Sequence, residues 1–378
     1  MNIVIYIDGP ATEDVFPPSF FAGELLPGLL EGLKGHTVSI LAEGSDLAGN
    51  PHLAPAYRHG LTTADEPGAP GGPDAGHLLF PGLSVISLPQ RSALAAAWWN
   101  MAGLPARIRA LKADRFLSVN AIHQVKGVSC FAWFDGEARL TEKSAHRAAR
   151  GLKGLFTASP SVVRKPAIAA ALADVPLVVA QRPARAAYVP LDFHAKEATR
   201  LVHTGGRNYF LYMGPLDGSL MELVKAFSVF KKRQKSDWRL VLAGAPAGTD
   251  VKFLSSLDHY LYKNDLVVMR NVKPAVLPSL VGAAYAVLFP PQGQPSLVPE
   301  VCATGVPAIV PDQPQFHGTA DEAMVFYDAS RQVDLAENMM TIYKNESLRS
   351  AKCDAGLRMA ATASWQDLAG VVISALLK

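Results

Sequence analysis

The feature that most limits the fold is a rhythm that runs twice along the chain. Short runs of Val, Ile, Leu and aromatic residues, bounded by Gly, Pro or acidic residues, alternate with longer helical stretches. Alternation of this kind implies parallel strands covered by helices on both faces. The first series opens with Asn2 to Ile7, stopped by Asp8-Gly9-Pro10, and passes through a helix over 19–32, imperfect because of Pro27, to a strand at His36 to Leu41. Further strands are expected at Leu83 to Leu88, Arg115 to Val119, Ser129 to Trp133, Gly154 to Ala158 and Leu177 to Ala180. The stretch 48–76, crowded with Pro, Gly and Ala, reads as a long excursion outside the core.

The second series begins at Tyr209. Strands at Tyr209 to Met213, Arg239 to Ala243, Leu266 to Met269, Ala286 to Phe289 and Pro307 to Val310 alternate with helices at Leu220 to Arg233, Val251 to Tyr262, Ala275 to Gly282 and Ser296 to Thr304. The chain then ends in helices from about Val333, interrupted near Ser364-Trp365. Polar sequence over 192–207 breaks the rhythm and is expected to be a linker. Residues 1–191 and 208–361 become two α/β domains, each Rossmann-like and doubly wound, with a last helix over 362–378. A chain of 378 residues, 49% hydrophobic, is long enough for two cores. Ligands of such sheets sit outside the carboxyl ends of the strands, so the loops after Met213, Met269 and Phe289 are the candidate site.

Charge and cysteine usage narrow the function. The net charge is +3, with Lys and Arg interleaved among Asp and Glu, so no footprint for nucleic acid stands out. Cys130, Cys302 and Cys353 are far apart in sequence, without CxxC or a His at ligand spacing, and read as reduced thiols. The opening MNIVIYIDGP has too short an apolar run for a signal peptide, and no 18-residue uninterrupted apolar run occurs. A cytoplasmic protein is expected, with a shallow membrane contact left open.

Four segments carry a resemblance to a known family. They are 209-YFLYMGPLDGSLMELVKAFSVFKKRQKSDWRLVLAGA-245, 268-VMRNVKPAVLPSLVGAAYAVLFPP-291, 300-EVCATGVPAIVPD-312 and 342-IYKNESLRSAKCDAGLRMAATASWQDLA-369. In order and spacing they resemble the retaining glycosyltransferases of family 4, the group 1 glycosyltransferases. The first half matches loosely, through its opening strand, FFAGELLPGLLEGLKGHTVSIL and LFTASPSVV. The resemblance implies a GT-B fold, two Rossmann-like domains facing across a cleft, whose last helix crosses back onto the first domain. It implies transfer of a hexose from a nucleoside diphosphate sugar to a glycan or lipid-linked acceptor. No cofactor or metal is expected, the family managing without one and the chain having no DxD on a loop after a strand. A peripheral membrane contact and a partner glycosyltransferase are further candidate partners.

Sugar transfer from a nucleotide leaves a dianionic leaving group beside an oxocarbenium-like centre, so the site needs preorganised positive charge or amide donors. The start of the helix expected at Ser296 offers free amides at Ser296, Leu297 and Val298 and the positive end of a dipole, although Ser296 can equally be a simple cap. By match to the family's paired-glutamate motif, Glu300 accepts from the donor's ribose hydroxyls. The first glutamate of that motif is here Gln292, an amide without negative charge. The glycine-rich run between them reads Gly293-Gln294-Pro295-Ser296, and Pro295 lacks an amide hydrogen. Where the family follows Gly214 with an arginine and then a lysine, this chain has Pro215, Asp217 and Gly218. Val272 and Lys273, after Met269, complete the donor set, and Lys273 and Lys225 are either substitute cations or plain surface lysines.

On the acceptor side, Gly23, His123 and Phe134 are the candidates. Phe134 stands where the family often places a histidine. Phe134, Trp133, Trp98 and Trp99 form either an aromatic platform for a sugar or core, and Asp135 or Glu137 is a candidate base for an acceptor hydroxyl. The competing reading is a non-catalytic homologue that binds glycan or supports a partner enzyme, because Phe134, Pro215, the missing lysine and Gln292 all fall where donor phosphate or sugar would be touched. A third, an epimerase or phosphorylase of the same architecture, is weaker, since a phosphorylase needs a basic phosphate pocket.

Overall fold

The two rhythms become two parallel sheets with the same strand order. A computed structural model describes residues 1–7, 21–43, 82–88, 93–119, 121–134, 142–157, 166–179, 182–244, 251–293, 295–318, 320–331 and 333–378. These divide into two units, one of residues up to Arg182 together with Trp365–Lys378, the other of Pro183–Ser364.

The first unit carries strands β1 (Asn2–Ile7), β2 (Thr37–Glu43), β3 (Leu83–Leu88), β4 (Arg115–Val119), β5 (Ser129–Phe134), β6 (Leu152–Thr157) and β7 (Leu177–Val179). They lie in the order β3-β2-β1-β4-β5-β6-β7, every described pair parallel. Strand alternation divides the core between the two faces: Ile3, Ile5 and Ile7 pack on one side, Val4 and Tyr6 on the other. The helix expected over 19–32 is a π-helical turn, Phe21–Leu25, leading into an α-helix, Leu26–Gly32, with Pro27 in its first turn. There the missing amide hydrogen costs nothing.

The terminal helix Trp365–Leu377 belongs to this first unit. A Cβ on Gly28 would lie 3.0 Å from Cβ of Ala369, so the absent side chain is what lets the helices Leu26–Gly32 and Trp365–Leu377 approach. Arg115 at the start of β4 donates from Nε to the carbonyl of Leu376 at 2.9 Å. The stretch Glu346–Leu377 has the length and composition of a membrane-crossing helix. It is broken between Ala361 and Trp365, and its parts pack into different cores, Ala355 in the second unit and Val372 in the first.

The second unit carries β8 (Tyr209–Met213), β9 (Arg239–Gly244), β10 (Leu266–Arg270), β11 (Ala286–Leu288), β12 (Ala308–Pro311) and β13 (Met324–Tyr327), in the order β10-β9-β8-β11-β12-β13 and all parallel. Tyr209, Leu211 and Met213 enter one core, Phe210 and Tyr212 the other. Strand β13 was not anticipated, although its four residues, Met324-Val325-Phe326-Tyr327, are a short apolar run.

The stretch 192–207, expected as a linker, holds the helix Phe193–Thr204. Asp192 caps it by accepting from the amide of Ala195 at 2.7 Å, and Gly205 ends it in the left-handed conformation. Arg200 donates from Nε to the carbonyl of Ala283 at 3.2 Å, docking this helix on the helix Leu277–Ala283. Phe193, Leu201 and Val202 are exposed, which is why the apolar pattern did not read as a packed helix.

Candidate functional site

The order of each sheet reverses direction at its first strand, between β1 and β4 and between β8 and β11. Loops leaving the carboxyl ends of those strands are where such folds take ligands. In the second unit the loop after β8 is set by close approach. Gly214 has φ of +150°, and a Cβ on Gly244, at the end of β9, would lie 1.7 Å from the carbonyl oxygen of Gly214. Only glycine at 244 allows that contact. The amide of Gly214 donates to the Ala243 carbonyl at 3.1 Å, and the hydroxyl of Tyr212 donates to the carbonyl of Pro215 at 2.9 Å. Burial pushes the Tyr212 phenol well above its ordinary range, and the charge of Asp217 adds to the shift.

Asp217 then turns its carboxylate to local use. It accepts from the amide of Ser219 at 2.8 Å and from the Ser219 hydroxyl, capping the 3-10 turn Gly218–Leu220 that enters the helix Met221–Gln234. A loop for which the resemblance called for cations thus carries a carboxylate. Lys225, on the following helix, is exposed.

The loop after β10 is tied to the same edge by the amide of Asn271, which donates to the Gly244 carbonyl at 2.8 Å. Val272 packs half-buried on the core below, and Lys273 is exposed. After β11 the chain turns at Pro290, where the amide of Gly293 donates back to the Pro290 carbonyl at 2.7 Å. Gln292, at the tip of that turn, is exposed.

The helix expected to start at Ser296 starts later. Pro295–Leu297 is a 3-10 turn, and the α-helix runs Val298–Ala303 with no side-chain cap at Leu297, so Ser296 is not its cap. Ser296 is exposed, whereas Leu297 and Val298 are buried in the core. What these last two can offer a ligand is backbone.

Glu300 is the most unusual residue at this edge. It lies in the first turn of that helix with a side chain only 1% exposed, and it is paired: Arg185 Nε donates to its Oε1 at 3.1 Å. A buried carboxylate requires such a partner. Arg185 is held in turn by Tyr188, whose hydroxyl accepts from Nη2 at 3.0 Å and whose ring centroid lies 4.8 Å from the guanidinium carbon. The amide of Tyr188 donates to the Arg185 carbonyl at 2.9 Å, closing a turn, and the Tyr188 ring is buried in the core that also takes Leu297, Val298 and Val301. Next to Glu300, burial pushes the Cys302 thiol up to about 12, with the Glu300 charge adding to the effect. All three cysteines are free.

Sequence reasoning missed Arg185 and Tyr188, having placed 182–191 with the first domain. It also missed His317, whose Nε2 lies 2.7 Å from Asp312 and whose Nδ1 lies 3.4 Å from Asp321, with its ring stacked on Phe326 at 4.4 Å. The spacing Asp-x4-His-x3-Asp over 312–321 was the available signal. The hydrogen bond that His317 makes to the Asp312 carboxylate raises the His317 pKa, with Asp321 contributing.

In the first unit, Gly23 lies in the turn Phe21–Leu25. His123 follows β4, at the reversal point, half-buried with its ring centroid 5.4 Å from that of Tyr6. The aromatic platform is not formed. Phe134 and Trp133 are 2% and 0% exposed and enter the cores on opposite faces, because consecutive strand residues point opposite ways, while Trp98 is exposed on a helix, Ala93–Trp98. Phe134 therefore has no ring face to offer an acceptor. Asp135, Glu137 and Gln294 lie outside the described residues.

Two Rossmann-like units of this kind define the GT-B class of fold. Solved structures bear this out over the full chain. The sucrose-phosphate synthase of Thermosynechococcus elongatus aligns with a TM-score of 0.67 at 13% identity, covering 98% of this chain and 97% of that one. A glycosyltransferase of Rickettsia africae aligns at 0.66 and 12%, covering 100% and 98%. Anabaena HepE in complex with UDP aligns at 0.67 and 11%, covering 100% of both chains. Comparison with curated proteins yields no match. Residues 195–356, within the second unit, match the family model of glycosyl transferases group 1.

Proposed function

We propose that the protein is a glycosyltransferase that moves a hexose from a nucleoside diphosphate sugar to a glycan or lipid-linked acceptor, with retention at the anomeric carbon. The observation that carries this is Glu300. It is a buried, arginine-paired carboxylate at the reversal point of the second sheet, in the turn where the group 1 family binds the donor's ribose. A buried charge costs too much to persist as decoration. The UDP held by the structurally similar HepE supports a nucleotide as ligand.

In the reaction, the bond from the anomeric carbon to the diphosphate oxygen breaks and a bond to an acceptor hydroxyl oxygen forms, the hydroxyl proton passing to a base. Glu300 would hold the ribose, and the backbone of 296–298 would meet the phosphates. Lys273 and Lys225, both exposed, would be candidate cations for the leaving group. Gln292 offers the transferred sugar an amide. Asp135 remains the candidate base and His123 the candidate acceptor contact. No metal is proposed.

One observation favours a second reading, a glycan-binding or partner-supporting homologue without catalysis: Asp217, where a phosphate-binding loop needs positive charge, places negative charge. The discriminating experiment is calorimetry with UDP, GDP and ADP and their sugars, followed by a search for hydrolysis of any donor that binds. Binding of one nucleotide, abolished by Glu300→Ala, supports the donor site, and donor turnover supports transfer. Failure of all three nucleotides to bind would sink the transferase.

A further inference from the structure

The resemblance points to Glu300, but nothing in the sequence pointed to its partner. We infer that Arg185 is a positioning residue of the nucleotide site, holding the Glu300 carboxylate in one charged orientation so that it accepts from the ribose hydroxyls. This rests on the proposed nucleotide-sugar reading. Three observations carry it. The Nε–Oε1 distance of 3.1 Å is a charge-assisted hydrogen bond to a carboxylate only 1% exposed. The guanidinium has little freedom of its own, since Tyr188 receives Nη2 and lies against the guanidinium carbon. Tyr188 is itself buried in the core beneath the first turn of the Glu300 helix, so a contiguous packed path runs from that core through Tyr188 and Arg185 to the carboxylate. Positioning a ligand acceptor is the role such a path suits: the residue that meets the sugar is fixed by residues that do not.

The consequence is specific. A carboxylate accepts from both hydroxyls of a ribose diol, whereas a protonated acid must turn one oxygen into a donor. Without Arg185, the carboxylate would lose that fixed orientation, and preference for a ribose over a sugar lacking its hydroxyls would fade.

The test uses the full chain and whichever of UDP, GDP and ADP binds, set against its 2′,3′-dideoxy analogue, by calorimetry at about pH 6 and about pH 8. Wild type is expected to prefer the ribose form by on the order of tenfold or more at both pH values. Arg185→Gln is expected to lose most of that preference while keeping the affinity of wild type for the 2′,3′-dideoxy analogue, a split that a purely structural defect would not produce. Arg185→Lys should recover part of it. Tyr188→Phe, which keeps the ion pair and the ring but loses the hydroxyl, should show a smaller loss and guards against the first variant failing to fold. Wild type that binds its nucleotide while Arg185→Gln keeps the full preference, or binds more tightly, overturns the inference alone. Wild type that binds no nucleotide removes the proposed function and the inference together.

Discussion

The loop after β8 and the segment after β11 leave the second sheet at adjacent strands, and each contains an acid, Asp217 and Glu300. They use those acids in opposite ways. Asp217 sits part-exposed and is consumed by its own backbone, capping the turn at Ser219. Glu300 is buried and is matched by a side chain from 115 positions earlier in the chain. A cap is a local solution that any short polar residue can supply, whereas a buried ion pair demands a particular partner in a particular place. The difference teaches that the half of this edge at the β8 loop is held by local parts, while the half around Glu300 is held by tertiary structure.

The comparison can be broken in three ways. The largest effect is expected at Gly244, the floor of the β8 loop. Gly244→Ala places a methyl against the Gly214 carbonyl, and since backbone must move to admit it, the loss of stability should reach about 3 kcal/mol or more, measured by urea unfolding. A loss below about 1 kcal/mol would show that the loop adapts and that its shape constrains no ligand.

Glu300→Ala against Asp217→Ala tests the contrast itself. Removing one member of a fully buried pair costs about 3 to 5 kcal/mol, and Arg185 is 19% exposed and keeps its hydrogen bond to Tyr188, so about 2 kcal/mol is expected for Glu300→Ala. Asp217→Ala should cost about 1 kcal/mol, the value of a cap. The binding effects should point in opposite directions, with nucleotide affinity lost in the first variant and improved in Asp217→Ser, which keeps a capping hydroxyl and removes the charge. Equal effects of the two alanine variants on stability and binding would erase the distinction.

The smallest effect concerns His317, at the end of β12 on the same edge. Its folded pKa is raised above the ordinary 6.5, first by Asp312, so its contribution is complete below that value and is lost as pH rises through the raised pKa. Wild type should therefore lose a few tenths of a kcal/mol relative to His317→Gln between about pH 6 and about pH 8, small because the ring is 39% exposed. A flat difference across that range would show that the two aspartates do not hold the imidazolium.

Much of the fold was legible because strand alternation is a local pattern. The bounds expected for Asn2–Ile7, Leu83–Leu88, Arg115–Val119 and Tyr209–Met213 agree with the structure residue for residue. Strand β13 was missed although Met324–Tyr327 is as long as β12, and the helix Phe193–Thr204 was missed because it leaves Phe193, Leu201 and Val202 in solvent. At the site, Glu300 was legible from its spacing to Gln292. Phe134 was misjudged, because an aromatic at a strand end reads the same from sequence whether its ring faces a ligand or the core.

By itself, then, the sequence determined two doubly wound units, the edge on which each would take a ligand, and the absence of a cation in the stretch just after Gly214, since hydrophobic period and residue charge are properties of short stretches. Only the tertiary structure decided that Arg185 meets Glu300, that Asp217 is spent on a cap, and that Gly244 must be glycine. Those facts depend on which distant backbones come within a few ångströms of each other, and no local pattern encodes that.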